Sequence, residues 1–167
     1  LDEEGNIWTF GDNDMGQCRP HLEDGDVNEE DSTLSVPTLL PMLKEIVQIS
    51  GGEEHSVFLD ASGCVWSFGN NSSGQLGLEH SYRYRELVKV EGLGLIREVQ
   101  CGYDYTLCID VNGDVFVFGS ALFRRTGGSP LSKKHKIQLN ACNIKTAACG
   151  ESHLLLLDHE GNVFVFG

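Results

Sequence analysis

The residue types best suited to chemistry in this sequence are cysteine and histidine, and the cysteine spacing argues against a metal or redox site. The chain has 167 residues. Zinc sites and thiol redox motifs bring two cysteines together as Cys-x-x-Cys. No such pair occurs among the six cysteines, which are Cys18, Cys64, Cys101, Cys108, Cys142 and Cys149. We interpret them as free thiols of a reducing compartment.

The histidines that stand out occupy matched positions of an internal repeat. His55 and His153 share one position, and Tyr105 occupies it in the repeat between them. A residue type that returns with a repeat usually packs against a turn or bonds to it, so we expect a structural role for both histidines. The same argument applies to Cys101 and Cys149, which share a position just before a glycine.

A dense run of carboxylates is the most distinctive polar feature. Six acidic side chains fall within nine positions, namely Glu23, Asp24, Asp26, Glu29, Glu30 and Asp31. Such a run stays solvated and becomes ordered only against a basic partner. Two interpretations are open: a plain solvated loop, and a loop that binds a basic protein surface.

Neither calcium binding nor catalysis is supported by the motifs. Asp12, Asp14 and Glu23 have calcium-loop spacing, but Gln17 stands at the sixth position, where such a loop needs glycine. The sequence contains no P-loop, no nucleophile elbow and no paired metal-ligand motif. We therefore predict that the chain is not an enzyme and uses no catalytic residue, metal or cofactor.

Charge and hydropathy argue against two further classes of protein, those that bind nucleic acid and those that span a membrane. Twelve basic and twenty-five acidic residues give a net charge of -13, which disfavours direct nucleic-acid binding. The basic residues that cluster lack interleaved aromatic residues to stack on bases; they are Arg124, Arg125, Lys133, Lys134 and Lys136. Apolar runs are far shorter than the ~20 residues that span a bilayer, and the sequence shows no signal peptide. We expect no membrane association and a cytoplasmic or nuclear location.

An internal repeat of about 50 residues organises the chain. A segment of the form Gly-x-apolar-aromatic-x-Phe-Gly occurs four times, and its starting glycines are 58, 50 and 48 residues apart. These glycines are Gly5, Gly63, Gly113 and Gly161. Each follows an aspartate three positions earlier, and Asp-x-x-Gly between apolar runs predicts a hairpin turn.

Short β-prone segments complete a four-stranded unit around each turn. First strands begin at Ile46, Ile96 and Ile144, and second strands lead into the Asp-x-x-Gly turns. A weaker fourth strand follows the aromatic strand, most clearly at residues 87–90. Because the aromatic strands are apolar on both faces, we expect neighbours to cover both faces. Four short antiparallel strands per repeat predict an all-β protein made of β-propeller blades.

The segments that follow the aromatic strands resemble the repeats of a known family. The segment Gly69-Asn-Asn-Ser-Ser-Gly-Gln-Leu-Gly77, after Val65-Trp-Ser-Phe68, resembles the signature of regulator of chromosome condensation repeats. The first repeat keeps Gly11-Asp-Asn-Asp-Met-Gly-Gln17 but has Cys18 and Arg19 where leucine and glycine are usual, and the third repeat departs further. The resemblance implies a seven-bladed propeller, of which about three and a half repeats are present, so we expect an incomplete ring.

We predict one partial propeller over residues 1–167, with an acidic loop insertion at 20–35. The repeat boundaries are expected near 1–45, 46–93, 94–141 and 142–167. The resemblance implies a scaffold for protein–protein interactions. Its expected partner is a small GTPase, as the resemblance implies, or a basic protein surface, as the carboxylates of the acidic loop indicate. It leaves two alternatives open: a guanine-nucleotide exchange factor for a small GTPase, and the regulatory propeller of a larger enzyme such as a ubiquitin ligase.

Overall fold

A computed structural model describes residues 1–19, 32–41, 43–78, 84–119, 135–137 and 143–167 of the chain. The regular structure of these residues is entirely β, with thirteen strands in four separate antiparallel sheets. The predicted all-β class and its antiparallel blades are thereby confirmed. We call the sheets blades 1 to 4 in chain order.

The blades differ in how many strands the described residues supply. Blade 1 contains β1 (Ile7–Asp12) and β2 (Thr33–Leu40). Blade 2 contains β3 (Ile46–Gly51), β4 (His55–Asp60), β5 (Val65–Gly69) and β6 (Tyr84–Lys89). Blade 3 contains β7 (Ile96–Cys101), β8 (Tyr105–Asp110), β9 (Val115–Gly119) and β10 (His135–Ile137). Blade 4 contains β11 (Ile144–Cys149), β12 (Leu154–Asp158) and β13 (Val163–Phe166).

Each predicted Asp-x-x-Gly turn is closed by the aspartate carboxylate. In blade 2, Oδ1 of Asp60 accepts hydrogen bonds from the backbone N–H groups of Ser62 at 2.9 Å and Cys64 at 3.0 Å. Gly63 has φ +81°, a conformation that costs other residues strain. The aspartates of the other three blades accept the same two bonds, which explains why the Asp and Gly recur together; these are Asp2, Asp110 and Asp158.

The apolar cores lie between neighbouring blades. Blades 2 and 3 share a cluster of buried side chains that includes Val57, Leu59, Val65, Val99, Cys108 and Phe118. Similar clusters join blade 1 to blade 2 and blade 3 to blade 4. Burying one such large aliphatic or aromatic side chain stabilises the fold by about 1.5–3 kcal/mol. Each blade is therefore stable only against its neighbours, as expected for repeats that stack.

The aromatic strands are covered on both faces only in the inner blades. In β5, Val65 is 1% exposed on one face and Phe68 is fully buried on the other. In β1, by contrast, Phe10 is 65% exposed, and in β13 Val165 is 67% exposed. The difference follows from position, because blades 1 and 4 each contact only one other blade among the described residues.

Side chains of the first strands also join the blades. Gln48 donates to the carbonyl of Val99 at 3.0 Å and accepts from its N–H at 2.9 Å. Glu98 occupies the matching position of blade 3, where its Oε1 accepts from the hydroxyl of Thr146 at 2.8 Å and the N–H of Ala147 at 3.3 Å. Because a carboxylate cannot donate, Glu98 reproduces only the accepting half of the contact.

Most of the predicted acidic insertion, and all six carboxylates proposed as a partner-binding loop, fall outside the described residues. These six are Glu23, Asp24, Asp26, Glu29, Glu30 and Asp31. Residues 32–35 are described, and 33–35 belong to β2. None of the five described cysteines forms a disulfide; these are Cys18, Cys64, Cys101, Cys108 and Cys149.

Candidate functional site

Two kinds of turn meet at one edge of the blades. Strand β4 begins at His55 and ends at Asp60, and β5 returns beside it so that Gly69 pairs with His55. The β3–β4 turn and the loop after β5 therefore share an edge. The Asp-x-x-Gly turn lies at the other end of β4, about 17 Å away at ~3.3 Å per residue.

The loops after β1 and β5 have one shared framework. In the loop after β5, Oδ1 of Asn71 accepts from the N–H of Leu76 at 2.9 Å, and Oε1 of Gln75 accepts from that of Ser73 at 2.9 Å. Asn13 and Gln17 make matching bonds in the loop after β1. All four amide side chains are buried, and so they form the internal frame of these loops. We call residues 11–19 and 69–78 the Gly–Gln loops.

The first hairpin turns of blades 2, 3 and 4 carry an acidic surface at this edge. Each turn follows a glycine, and its next two side chains are polar. Glu53, Tyr103 and Glu151 are exposed, whereas Glu54 and Asp104 are half-buried. Within the described residues, none of the four carboxylates is in an ion pair. We call these five residues the acidic edge.

Tyr103 lies at the centre of the acidic edge. Its hydroxyl donates a hydrogen bond to Oε1 of Glu53, and its carbonyl accepts one from the Glu53 N–H at 3.1 Å. The bond to Glu53, with the nearby charges of Glu151 and Glu54, raises the pKa of Tyr103 to about 12. Tyr103 is 45% exposed, so the edge presents an aromatic ring surrounded by negative charge.

Beneath the edge, a buried polar chain joins blade 2 to blade 3. The hydroxyl of Thr106 donates to the carbonyl of Gln75 at 2.8 Å, and Nε2 of His55 lies 3.0 Å from the Thr106 hydroxyl oxygen. A hydroxyl has one hydrogen, so Nε2 of His55 must be the donor. In the neutral ring Nδ1 is then an acceptor, and among the described residues it is buried without a hydrogen-bond partner. Burial lowers the pKa of His55 to about 4, so the ring is neutral at pH 7.

The structure supports a packing role for the matched histidine and tyrosine positions. The rings of His55, Tyr105 and His153 each lie against the glycine three residues earlier, where a Cβ atom would be only 2.0–2.4 Å from the ring. The hydroxyl of Tyr105 donates to the carbonyl of His153 at 2.7 Å in the next blade. These contacts position the turns; His55 and Tyr105 are buried, whereas His153 is exposed.

The cysteines near this edge are poorly suited to nucleophilic chemistry. Burial raises the pKa of Cys101 to about 12 and that of Cys149 to about 11. The thiolate is the reactive form of cysteine, so both side chains are unreactive at neutral pH. Across the described ranges, no group of three or more His, Cys, Asp and Glu side chains is arranged to hold a metal ion.

Sequence reasoning missed the acidic edge and placed a candidate site elsewhere. The available signal was the pair of positions after the matched glycines Gly52, Gly102 and Gly150, of which four out of six carry a carboxylate. The residue types differ between repeats, so the repeat pattern alone does not single them out. Only the packing of successive blades brings the three turns to one edge.

A family comparison agrees with the repeat framework. The model of the Regulator of chromosome condensation (RCC1) repeat matches residues 4–59 and 62–109, and a second model of that repeat matches 46–75. The chain belongs to the regulator of chromosome condensation repeat family. The matched residues include both Gly–Gln loops and the first two turns of the acidic edge.

RCC1-type relatives and solved structures that resemble this chain are much longer than it is. The Regulator of chromosome condensation of Mus musculus is 33% identical over 156 residues, which are 87% of this chain and 35% of the mouse protein. The crystal structure of human WBSCR16 superposes with a TM-score of 0.80 at 26% identity, covering 99% of this chain and 43% of that one. Prp20p of Saccharomyces cerevisiae gives 0.72 at 23% identity, covering 96% and 39%.

The chain thus spans about a third of the length of the mouse relative. The prediction of a partial propeller of RCC1 repeats is confirmed at the level of fold and family. In the part of the chain that the structure describes, no helix is long and apolar enough to cross a membrane.

Proposed function

We propose that the chain is a protein-interaction scaffold whose acidic edge binds a basic protein surface. The observation that carries this proposal is the exposed Tyr103 ring, bonded to Glu53 and within the field of Glu54 and Glu151. Turns from three successive blades contribute to this one surface. Loops held on a rigid scaffold are where repeat proteins place binding specificity.

The chemistry of the edge suits lysine and arginine side chains. Arginine pairs with carboxylates and also stacks on aromatic faces. Tyrosine is among the residues that dominate binding energy in interfaces, especially where surrounding contacts exclude water. A partner whose basic side chain reaches Tyr103 and Glu53 together would therefore gain both kinds of contact.

A solved structure supplies a suitable probe. Prp20p has binding properties toward Gsp1p and histones. Histones contact DNA through arginine side chains, so core histones are a basic protein of the required chemistry. The likeness to Prp20p concerns the fold alone, and histones serve here as a test ligand.

Calorimetric titration of the 167-residue chain with core histones tests the proposal. We expect Glu53→Gln with Glu151→Gln to weaken binding about tenfold, because each substitution removes one charge from the acidic edge. The matched control is Glu3→Gln with Glu91→Gln, which removes the same charge from exposed positions near the opposite edge. This control separates the edge from the general attraction exerted by a net charge of -13.

Equal losses in the two double variants would contradict the proposal, since binding would then follow net charge alone. Absence of binding by the unaltered chain would likewise reject histone-like partners. Circular dichroism of all variants verifies that the fold is retained. We expect no loss of stability, because none of the four substitutions removes a buried side chain.

The second candidate is guanine-nucleotide exchange on a small GTPase, which the family membership favours. This activity predicts faster release of labelled nucleotide from a GTPase when the chain is added. No acceleration with any small GTPase tested would reject it. A regulatory role within a larger enzyme such as a ubiquitin ligase stays a prediction.

We also propose that the chain binds rather than catalyses and that it acts in the nucleus or cytoplasm. The protonated thiols of Cys101 and Cys149 and the neutral, buried His55 support the first part. Similarity to a regulator of chromosome condensation supports the second.

A further inference from the structure

The Gly–Gln loop of blade 2 reaches two carboxylates of the acidic edge with its side chains. The amide of Asn70 donates to Oε2 of Glu54 at 2.6 Å, and the hydroxyl of Ser73 donates to Oδ2 of Asp104 at 3.1 Å. Glu54 belongs to blade 2 and Asp104 to blade 3. One loop therefore holds acidic side chains of two successive turns.

The donors in this loop are themselves held in place. The backbone of Ser73 is fixed by Oε1 of Gln75, and the N–H of Asn70 donates to the carbonyl of Glu54 at 2.8 Å. Gln75 is 3% exposed, and its carbonyl accepts the buried hydroxyl of Thr106. The position of each donor is thus set before any partner binds.

Blade 1 shows that the loop framework does not need these two donors. Its Gly–Gln loop makes the same internal bonds with Asp12 and Met15 at the positions of Asn70 and Ser73. Neither an ionised aspartate nor a methionine can donate a hydrogen bond to a carboxylate. The donors of blade 2 consequently serve something other than the fold of the loop.

We infer that Asn70 and Ser73 are positioning residues of the acidic edge, which hold Glu54 and Asp104 in the orientation that receives a basic partner. This inference rests on the proposed function. A neutral donor keeps the full charge of the carboxylate while removing its rotational freedom. These side chains then lose their conformational entropy during folding, so binding does not have to order them again. Each carboxylate retains further lone pairs for the partner.

The role of Ser73 can be separated from that of the charge it orients. A positioning residue changes affinity without changing how strongly binding depends on salt, because the number of charges is the same. Removal of the charge itself changes both. Binding of core histones at several salt concentrations therefore distinguishes Ser73→Ala from Asp104→Asn.

We expect Ser73→Ala to weaken histone binding about threefold to tenfold with an unaltered salt dependence. Ser73→Thr keeps the hydroxyl and should restore binding. Ser72→Ala, at the exposed neighbouring position, is the control that should bind as the unaltered chain does. Thermal unfolding of each variant shows whether the loop stays folded.

Two results would overturn the inference. If Ser73→Ala binds as the unaltered chain does while Asp104→Asn weakens binding, the edge binds but Ser73 does not position it. If Ser73→Thr fails to restore binding at unchanged stability, the hydroxyl is not the acting group. Unchanged binding in both Asp104→Asn and Glu53→Gln with Glu151→Gln would instead reject the proposed function itself.

Discussion

The indole Nε1 of Trp66 donates a hydrogen bond to Oδ2 of Asp60 at 2.8 Å. Trp8 makes the same bond to Asp2 at 2.9 Å. Oδ1 of each aspartate closes the turn, so one carboxylate serves both the turn and the adjacent aromatic strand. Blades 3 and 4 have phenylalanine instead of tryptophan, and in blade 4 the amide of Asn162 donates to Oδ2 of Asp158 at 2.9 Å.

Trp66→Phe is expected to lower the free energy of unfolding by about 1–2 kcal/mol, because it removes a hydrogen bond to a charged group. Burial tends to raise the pKa of Asp60, but bonds from Ser62 and Trp66 keep it below its usual value. The substitution should therefore raise this pKa, which NMR titration of the carboxyl carbon measures. An unchanged pKa would show that the indole bond does not stabilise the carboxylate. Phe116 at the matched position of blade 3 indicates that the fold will persist.

Thr106→Val is expected to cost about 1–3 kcal/mol of stability, because it leaves Nε2 of His55 and the carbonyl of Gln75 buried without partners. Thr106→Ser is the control, since Ser56 occupies the matched position of blade 2 and donates to the carbonyl of Gln17 at 2.6 Å. Urea denaturation measures both variants. Equal stability of the valine and serine variants would mean that the hydrogen bonds of the Thr106 hydroxyl do not stabilise the fold.

Gly69→Ala is expected to be far more destabilising than Gly11→Ala. Both glycines have similar positive φ, +112° and +111°, so the backbone strain of about 1–2 kcal/mol is shared. A Cβ at Gly69 would lie 2.5 Å from the carbonyl oxygen of Glu54, whereas a Cβ at Gly11 would have no neighbouring atom of the described residues within 4 Å. The close contact with Glu54 should make Gly69→Ala about 1–3 kcal/mol more destabilising than Gly11→Ala. Similar melting temperatures would refute this close approach.

Glu98→Gln is expected to raise stability by up to about 1 kcal/mol, because the hydrogen bond gained outweighs the lost ion pair with Arg97, whose atoms are 3.5 Å apart. An amide at this position can both donate to and accept from Ala147, as Gln48 does with Val99. The reciprocal variant Gln48→Glu removes the donor and should be destabilising. Denaturation midpoints that move in the same direction for both variants would contradict the comparison between these blades.

The blade pattern could be predicted from the sequence because it depends on local periodicity. The Asp-x-x-Gly turns and the aromatic strands recur at nearly constant spacing, and each turn is closed by bonds within five residues, as at Asp60 and Cys64. Local chemistry of this kind is visible in every repeat. The expectation of coverage on both faces failed for Trp8 and Phe10, because blade 1 contacts one neighbour among the described residues.

The candidate site could not be predicted in the same way. Ser73 and Asp104 are 31 positions apart, and His55 and Thr106 are 51 apart. These contacts arise where one blade meets the next, and they use residue types that change between repeats. A search for repeated residues therefore finds the framework and overlooks the surface that differs from blade to blade.

Hydrogen–deuterium exchange of the chain with and without core histones shows which turns a basic protein contacts. Binding at the acidic edge should slow exchange in the first turns of blades 2, 3 and 4, at residues 52–55, 102–105 and 150–153. The Asp-x-x-Gly turns at 60–64, 110–114 and 158–162 should exchange at unaltered rates. Protection confined to those opposite turns, with none at the acidic edge, would show that histones bind elsewhere on the chain.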